Sequence, residues 1–274
     1  MTNGTGAAEG PLWLVGAGNM GGAMLRGWIG AGVDPGRIVV IDPAAKDLPE
    51  GVAHHSTPPP DGAAPVTLVL AVKPQLLDTV APSLRGALEA ETLLMSVLAG
   101  VEIASLRARF PAPRTVVRVM PNLPAAIGKG ATAIFGEGLD PALRARAEAL
   151  VAPLGLVEWI DREALFDPVT ALSGGGPAFL FRFIEALAQG GAALGLPADQ
   201  AARLALTTVE GAALLAAGSD ADPATLAERV ASPGGTTREG LNTLDADDAL
   251  KRLVAETLAA AAHRSAEMAA AARG

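Results

Sequence analysis

Leu12-Trp13-Leu14-Val15-Gly16-Ala17-Gly18-Asn19-Met20-Gly21 carries the plainest fold signal in this chain. An apolar run of strand type meets three glycines spaced Gly-x-Gly-x-x-Gly, and the residues that follow read as a helix to about Trp28. In a strand–turn–helix unit the first glycine permits the tight turn. The second lets backbone approach a pyrophosphate, and the third lets helix and strand pack closely. The helix N-terminus adds a positive dipole end for the anion. Asp42 closes the next apolar run about 20 residues on, where an acid accepts hydrogen bonds from ribose hydroxyls and repels a 2′-phosphate. Gly16, Ala17, Gly18, Asn19, Met20 and Gly21 with Asp42 therefore predict a dinucleotide site, NADH being favoured over NADPH. The plainer reading of Asp42 is a turn residue before Pro43, and Lys46 would offset part of its charge if the loop folds back.

Outward from that motif, short apolar runs alternate with helical stretches as far as residue 160. The runs are residues 38–41, 66–71, 93–97, 115–119, 131–135 and 157–160. Such alternation predicts βαβ units and a mostly parallel, doubly wound sheet of Rossmann type with helices on both faces. The runs are apolar throughout rather than alternating, as strands covered on both faces should be. We place this dinucleotide-binding domain at residues 1–162. Ligands in such sheets sit outside the carboxyl ends of the strands. Ala71, Val72, Lys73 and Pro74, then Leu98 and Ala99, then Met120, Pro121 and Asn122 should accordingly border the nicotinamide and substrate. Lys73 is either catalytic or a structural, ion-paired lysine, and Asn122 either contacts cofactor or sets its turn. Pro58-Pro59-Pro60 reads as a stiff loop.

Residues 163–274 show no strand pattern and predict an all-helical domain. Its helices are expected over residues 178–194, 198–217, 224–230 and 246–271. The helix at 198–217 is apolar on most sides, which demands burial nearly all round. A segment of this length has difficulty surrounding it, so a second subunit is expected to help, the alternative being cover by the first domain. Two glycine-rich stretches punctuate this half. In Ser173-Gly174-Gly175-Gly176-Pro177 the glycines cost about 1 kcal/mol each in a helical setting, so a neighbouring helix or the substrate should come close to the backbone. In Ser232-Pro233-Gly234-Gly235-Thr236-Thr237 the proline fixes one φ, the two glycines open others, and the threonines can cap a helix from Arg238. That loop predicts an anion site for a carboxylate or phosphate; the bland reading is a capped turn.

Composition narrows the function class. A net charge of −8 argues against nucleic acid and anionic membrane surfaces as partners. With 3% aromatics and no Tyr, base-stacking platforms are not expected either. No apolar run approaches the length of about 18 residues that a membrane helix needs. The absence of cysteine excludes thiolate chemistry and fits a cytoplasmic location. His54, His55 and His263 have no metal-ligand spacing, so no metal is expected. Residues 1–10 read as a frayed tail.

Five motifs in order, Gly-Ala-Gly-Asn-Met-Gly at 16–21, Ala-Val-Lys-Pro at 71–74, Met-Pro-Asn at 120–122, Ala-Leu-Ser-Gly-Gly-Gly-Pro-Ala at 171–178 and Ser-Pro-Gly-Gly-Thr-Thr at 232–237, resemble the pyrroline-5-carboxylate reductases from Leu12 to beyond Leu244. The resemblance implies reduction of 1-pyrroline-5-carboxylate to L-proline by NADH or NADPH. It implies that Gly234, Gly235 and Thr236 help hold the substrate carboxylate and that Thr237 is the catalytic residue, hydrogen-bonded to the ring nitrogen. It also implies that Ser173 to Pro177 with Met120 to Asn122 shape the pocket, and that the chain forms homodimers, often assembled as decamers. The sequence departs from the family pattern in places. Gly175 stands where Ser is common, Asp220 where the family often has Glu, and residues 54–60 lack the Asn that often reaches the adenosine ribose. Asp42 replaces the small polar and basic pair of many NADPH users. The nearest rival is a 3-hydroxyacid dehydrogenase, which has a helix-borne lysine after a glycine stretch. Here 173–194 contains no lysine. A non-enzymatic NAD-binding regulator is the alternative from another class, and it would not need the anion loop.

Overall fold

The computed structural model describes residues 10–60 and 62–272. Of the predicted tail, residues 1–9 lie outside the described residues. In chain order the elements are β1 (Leu12–Val15), α1 (Asn19–Gly30), β2 (Ile38–Ile41), β3 (Ala53–His55), β4 (Thr67–Leu70), α2 (Leu77–Leu84), β5 (Leu93–Ser96), α3 (Ile103–Arg109), β6 (Thr115–Met120), β7 (Gly130–Glu137), α4 (Pro141–Val151) and β8 (Gly155–Trp159). Helices follow: α5 (Phe166–Val169), a π-helical turn at Thr170–Gly174, α6 (Gly176–Ala193), α7 (Ala198–Ala217), α8 (Pro223–Arg229), α9 (Thr236–Asp245) and α10 (Ala249–Ala272).

The strands form one sheet in the order β3-β2-β1-β4-β5-β6-β7-β8. Pairing is parallel from β3 to β6, antiparallel between β6 and β7, and parallel again from β7 to β8. The doubly wound, mostly parallel fold is thus as the alternation of patterns predicts. Its apolar strands serve two cores. Leu12, Leu14, Val40, Val69 and Met95 pack with Met24 and Trp28 of α1 and with Leu150 of α4. Trp13, Val15, Leu68, Leu70 and Leu94 pack with Leu77 and Leu84 of α2 and with Leu106 of α3. Both faces of β1, β4 and β5 lose water, which is why these strands carry no polar alternation. Trp28 shows the quality of this packing: fully buried, it donates its indole N–H to the Leu150 carbonyl at 2.6 Å.

One strand escapes the sequence reading. Ala53–His55 is three residues long, polar and exposed, and joins the sheet at its edge by pairing Val39 with Ala53 and Ile41 with His55. An edge strand needs no apolar run, so it leaves no hydrophobic signature.

The chain divides into two compact units, one holding the residues up to Gly175 together with those from Ala261 onward, the other Gly176–Ala260. In the first unit the end of α10 is anchored: Ser265 donates its hydroxyl to Asp167 at 2.7 Å, and Ala269 is buried beside Gly100. The second unit is different in kind. Only Ala201, Ala205 and Ala231 are buried in it, while Phe181, Leu204, Leu206, Leu214, Leu215 and Leu253 stand exposed. Within the single chain, the predicted all-round burial of the 198–217 helix is therefore not met. Among the described residues no helix is long and apolar enough to cross a membrane.

Candidate active site

The sheet changes winding direction between β1 and β4, and there a crevice of about 470 Å³ opens at the carboxyl ends of the strands. Gly16, Gly18, Asp42, Ala71, Val72 and Lys73 line it. The glycines divide their labour as the motif predicts. Gly16 has φ +93°, and a Cβ there would stand 2.8 Å from the Ala71 carbonyl. A Cβ on Gly21 would stand 2.0 Å from the Gly16 carbonyl oxygen, so α1 and β1 approach as only glycine allows. A Cβ on Gly18 would meet nothing within 4 Å, and Gly18 sits at the N-cap of α1 with no side chain satisfying the helix. Free N–H groups, the positive end of a helix dipole and an open approach make a fit cradle for a pyrophosphate.

Asp42 proves to be both a turn residue and a crevice residue. One carboxylate oxygen accepts the Ala17 N–H at 2.8 Å, the other the Ala44 N–H at 2.8 Å, and the His54 imidazole is 2.8 Å from its backbone carbonyl. The acid thus fixes the glycine turn while facing the crevice. The crevice wall also includes Ser56, Thr57, Leu76 and Val80, which the sequence reading did not name. Ser56 and Thr57 follow directly on β3, so recognising that edge strand would have found them. Ala17, Asn19, Met20, Gly21, Pro74, Leu98 and Ala99 do not themselves line it.

A second group of predicted residues is tied together at the end of β6. The Asn122 amide donates to the Ser173 carbonyl at 3.0 Å and its oxygen accepts the Ala131 N–H at 2.9 Å. Asn122 therefore sets its turn and clamps that turn to the glycine stretch. Ser173 and Gly174 lie not in regular α-helix but in the π-helical turn, closed by the Gly175 N–H on the Thr170 carbonyl at 2.9 Å. Such turns recur at functional sites. At Gly174 the close neighbour is neither of the expected ones but strand β6, the Met120 methyl lying 3.3 Å from where a Cβ would stand; at Gly176 a Cβ would have open space in the single chain.

Behind this junction stands a group that sequence reasoning missed. Arg118, 7% exposed on β6, pairs with Glu163 at 2.8 Å and lies 4.1 Å over the Phe166 ring. The same Glu163 oxygen accepts the Ile103 N–H at 2.7 Å and so caps α3. Arg118, Ile103 and Glu163 are far apart in sequence, and only the folded unit brings them together.

The Ser232–Thr237 loop lies in the other compact unit. Gly234 has φ +69°, whereas Gly235 is extended at φ −81° and forms the N-cap of α9. The helix starts at Thr236, two residues before the expected Arg238, and no side chain caps it. Thr236 and Thr237 are therefore not caps: they occupy the first turn and are exposed. Their freedom has a reason, since the Gly235 N–H closes the turn by itself on the Ser232 carbonyl at 2.9 Å. The contrast with two other helices is chemical. Asp140 caps α4 and Asp222 caps α8, each at 2.7 Å, but the first N–H groups of α9 have no such acceptor. Arg238 pairs with Glu228 through both guanidinium nitrogens and holds its carboxyl below the usual carboxylate range.

Comparison with known proteins agrees with these features. Residues 163–268 match the family described as pyrroline-5-carboxylate reductase dimerisation, and residues 12–100 match NADP oxidoreductase, coenzyme F420-dependent. A pyrroline-5-carboxylate reductase of Pseudomonas aeruginosa is 38% identical over 262 residues, 93% of this chain and 96% of that relative. The solved pyrroline-5-carboxylate reductase of Coxiella burnetii is 33% identical with a TM-score of 0.88, covering 94% of this chain and 98% of its own. That of Plasmodium falciparum, solved with NADP bound, is 27% identical with a TM-score of 0.81, covering 95% and 98%.

Proposed function

Because the chain belongs to the pyrroline-5-carboxylate reductase family, we propose that its β1–β4 crevice takes the nicotinamide cofactor and that its Ser232–Thr237 loop takes the carboxylate of 1-pyrroline-5-carboxylate. The reaction is hydride transfer to the C=N carbon of the cyclic imine, giving L-proline in proline biosynthesis. NADH or NADPH supplies the hydride, and the protonated imine already carries the proton that nitrogen needs, so no strong protein base is required. The chain's own part is orientation and polarisation. The N–H groups at the start of α9 hold the carboxylate. The exposed Thr237 hydroxyl bonds the ring nitrogen and makes it the catalytic residue. Met120 to Asn122, joined to Ser173 by the Asn122 amide, border the imine. Asp42 favours NADH, because its carboxylate, held by two backbone N–H groups, would stand against a 2′-phosphate.

The observation that carries the substrate reading is the uncapped N-terminus of α9 directly after Gly234-Gly235, with the Thr236 and Thr237 hydroxyls exposed in its first turn. Dimerisation supports the same reading. The exposed leucines of α7 are where a second copy would bury apolar surface, and dimers of this kind would build a decamer in a cytoplasmic enzyme. Following the nicotinamide absorbance tests it. Addition of 1-pyrroline-5-carboxylate should produce turnover with either cofactor, faster with NADH. Cofactor binding without turnover would overturn it in favour of a regulator.

A further inference from the structure

We infer that the Arg238–Glu228 ion pair is a positioning device that holds the Ser232–Thr237 loop in its anion-receiving shape. The inference rests on the reading that this loop receives the substrate carboxylate. Within the loop the Gly235 N–H closes one turn on the Ser232 carbonyl, which leaves the ends of the loop to be fixed from outside it. The loop joins α8, of seven residues, to α9, and Ser232, Pro233 and Gly234 are exposed. A Cβ on Gly234 would meet nothing within 4 Å. Glycine-rich backbone loses the most conformational freedom on ordering, so such a loop samples many shapes unless its ends are fixed.

Arg238 fixes both ends at once. Its Nη1 donates to Glu228 Oε1 at 3.2 Å and its Nη2 to Glu228 Oε2, so the guanidinium fork grips the last turn of α8. The same Nη2 donates to the Ala231 carbonyl at 3.3 Å, on the buried residue that precedes Ser232. Arg238 itself follows Thr237 in the chain. One planar side chain thus ties the residue before the loop, the helix before that residue and the helix after the loop. Pairing with Glu228 also keeps Arg238 from swinging out as a free cation for any anion. A lysine could supply the charge but not the fork.

Neither residue touches substrate in this account, so the test must separate positioning from mere folding. Two acceptors do so: 1-pyrroline-5-carboxylate, and 1-pyrroline, the same ring without its carboxylate. Arg238→Met and Glu228→Gln should each raise KM for the carboxylated imine about tenfold, the order of a charge-assisted hydrogen bond. KM for 1-pyrroline and for NADH should stay within about twofold, and Arg238→Lys should fall between. The exchange Glu228→Arg with Arg238→Glu should recover much of the loss, which also answers a single variant that fails to fold. An equal rise on both imines, or none on either, overturns the inference. Gly234→Ala distinguishes its failure from that of the underlying reading. If Gly234→Ala leaves the ratio of the two imines unchanged, the carboxylate is held elsewhere. If it shifts that ratio and Arg238→Met does not, the ion pair is idle.

Discussion

The two compact units bury themselves in opposite ways. The sheet-bearing unit sequesters two tryptophans, Phe110 and a dozen or more aliphatic side chains on two faces, while the helical unit buries only three alanines and leaves leucines and phenylalanines in water. Their glycine turns differ in the same sense. A Cβ on Gly16 or Gly21 would strike neighbouring backbone, whereas one on Gly234 would meet nothing within 4 Å. Yet both turns end at a helix N-terminus that no side chain caps, Gly18 before α1 and Gly235 before α9. One unit shapes its uncapped helix N-terminus by its own packing. The other carries an equivalent chemical device on a frame that has no core of its own.

The sharpest way to break this contrast is at the glycines. Gly21→Ala should destabilise the chain by about 3 kcal/mol or more, because its Cβ would overlap the Gly16 carbonyl with no room to shift. Gly18→Ala, with open space and an ordinary φ of −67°, should change stability by less than about 0.5 kcal/mol while weakening cofactor binding. Denaturant melts and cofactor titrations read both. Equal destabilisation by the two would mean that the turn is not held by packing as described.

Next in size, Leu215→Asp, at a residue 65% exposed in the single chain, should shift the oligomer towards monomer by about a hundredfold in dissociation constant, read by sedimentation. An unchanged oligomer would locate the second copy elsewhere. Thr237→Ala should lower turnover of the imine about tenfold to a hundredfold, with NADH affinity within about twofold. Matching loss of NADH binding would mean that Thr237 serves the cofactor. Smallest is Asp42→Asn, which should move the NADH-to-NADPH ratio of kcat/KM about tenfold towards NADPH. No movement would mean that the ribose is read by other crevice residues, Ser56 and Thr57 among them.

How much was legible from sequence follows the same division. Where structure is set by local pattern, as in the Gly16–Gly21 turn and the apolar runs of β1, β2 and β4, residues and positions agree closely with the reading. What failed to show itself depends on distant partners or on polarity. β3 has no hydrophobic signal because it lies at an exposed edge. The Arg118–Glu163–Ile103 network joins three elements whose sequence says nothing of their meeting. The threonines of the 232–237 stretch suggested capping because hydroxyls usually cap. The Gly235 N–H and the Ser232 carbonyl close that turn instead and leave both hydroxyls for other work. Asn122 allowed two roles by sequence, and its two hydrogen bonds show that setting the turn is one it does perform.

If a second copy completes the helical unit that lacks a core, and that assembly is the working reductase, association and turnover must rise and fall together. Sedimentation velocity and imine-dependent NADH oxidation, measured on the same samples across a dilution series, test it most directly. Dimers or larger assemblies should be present wherever the enzyme is active, with specific activity falling in step as they dissociate. A monomer retaining full turnover of 1-pyrroline-5-carboxylate would contradict it.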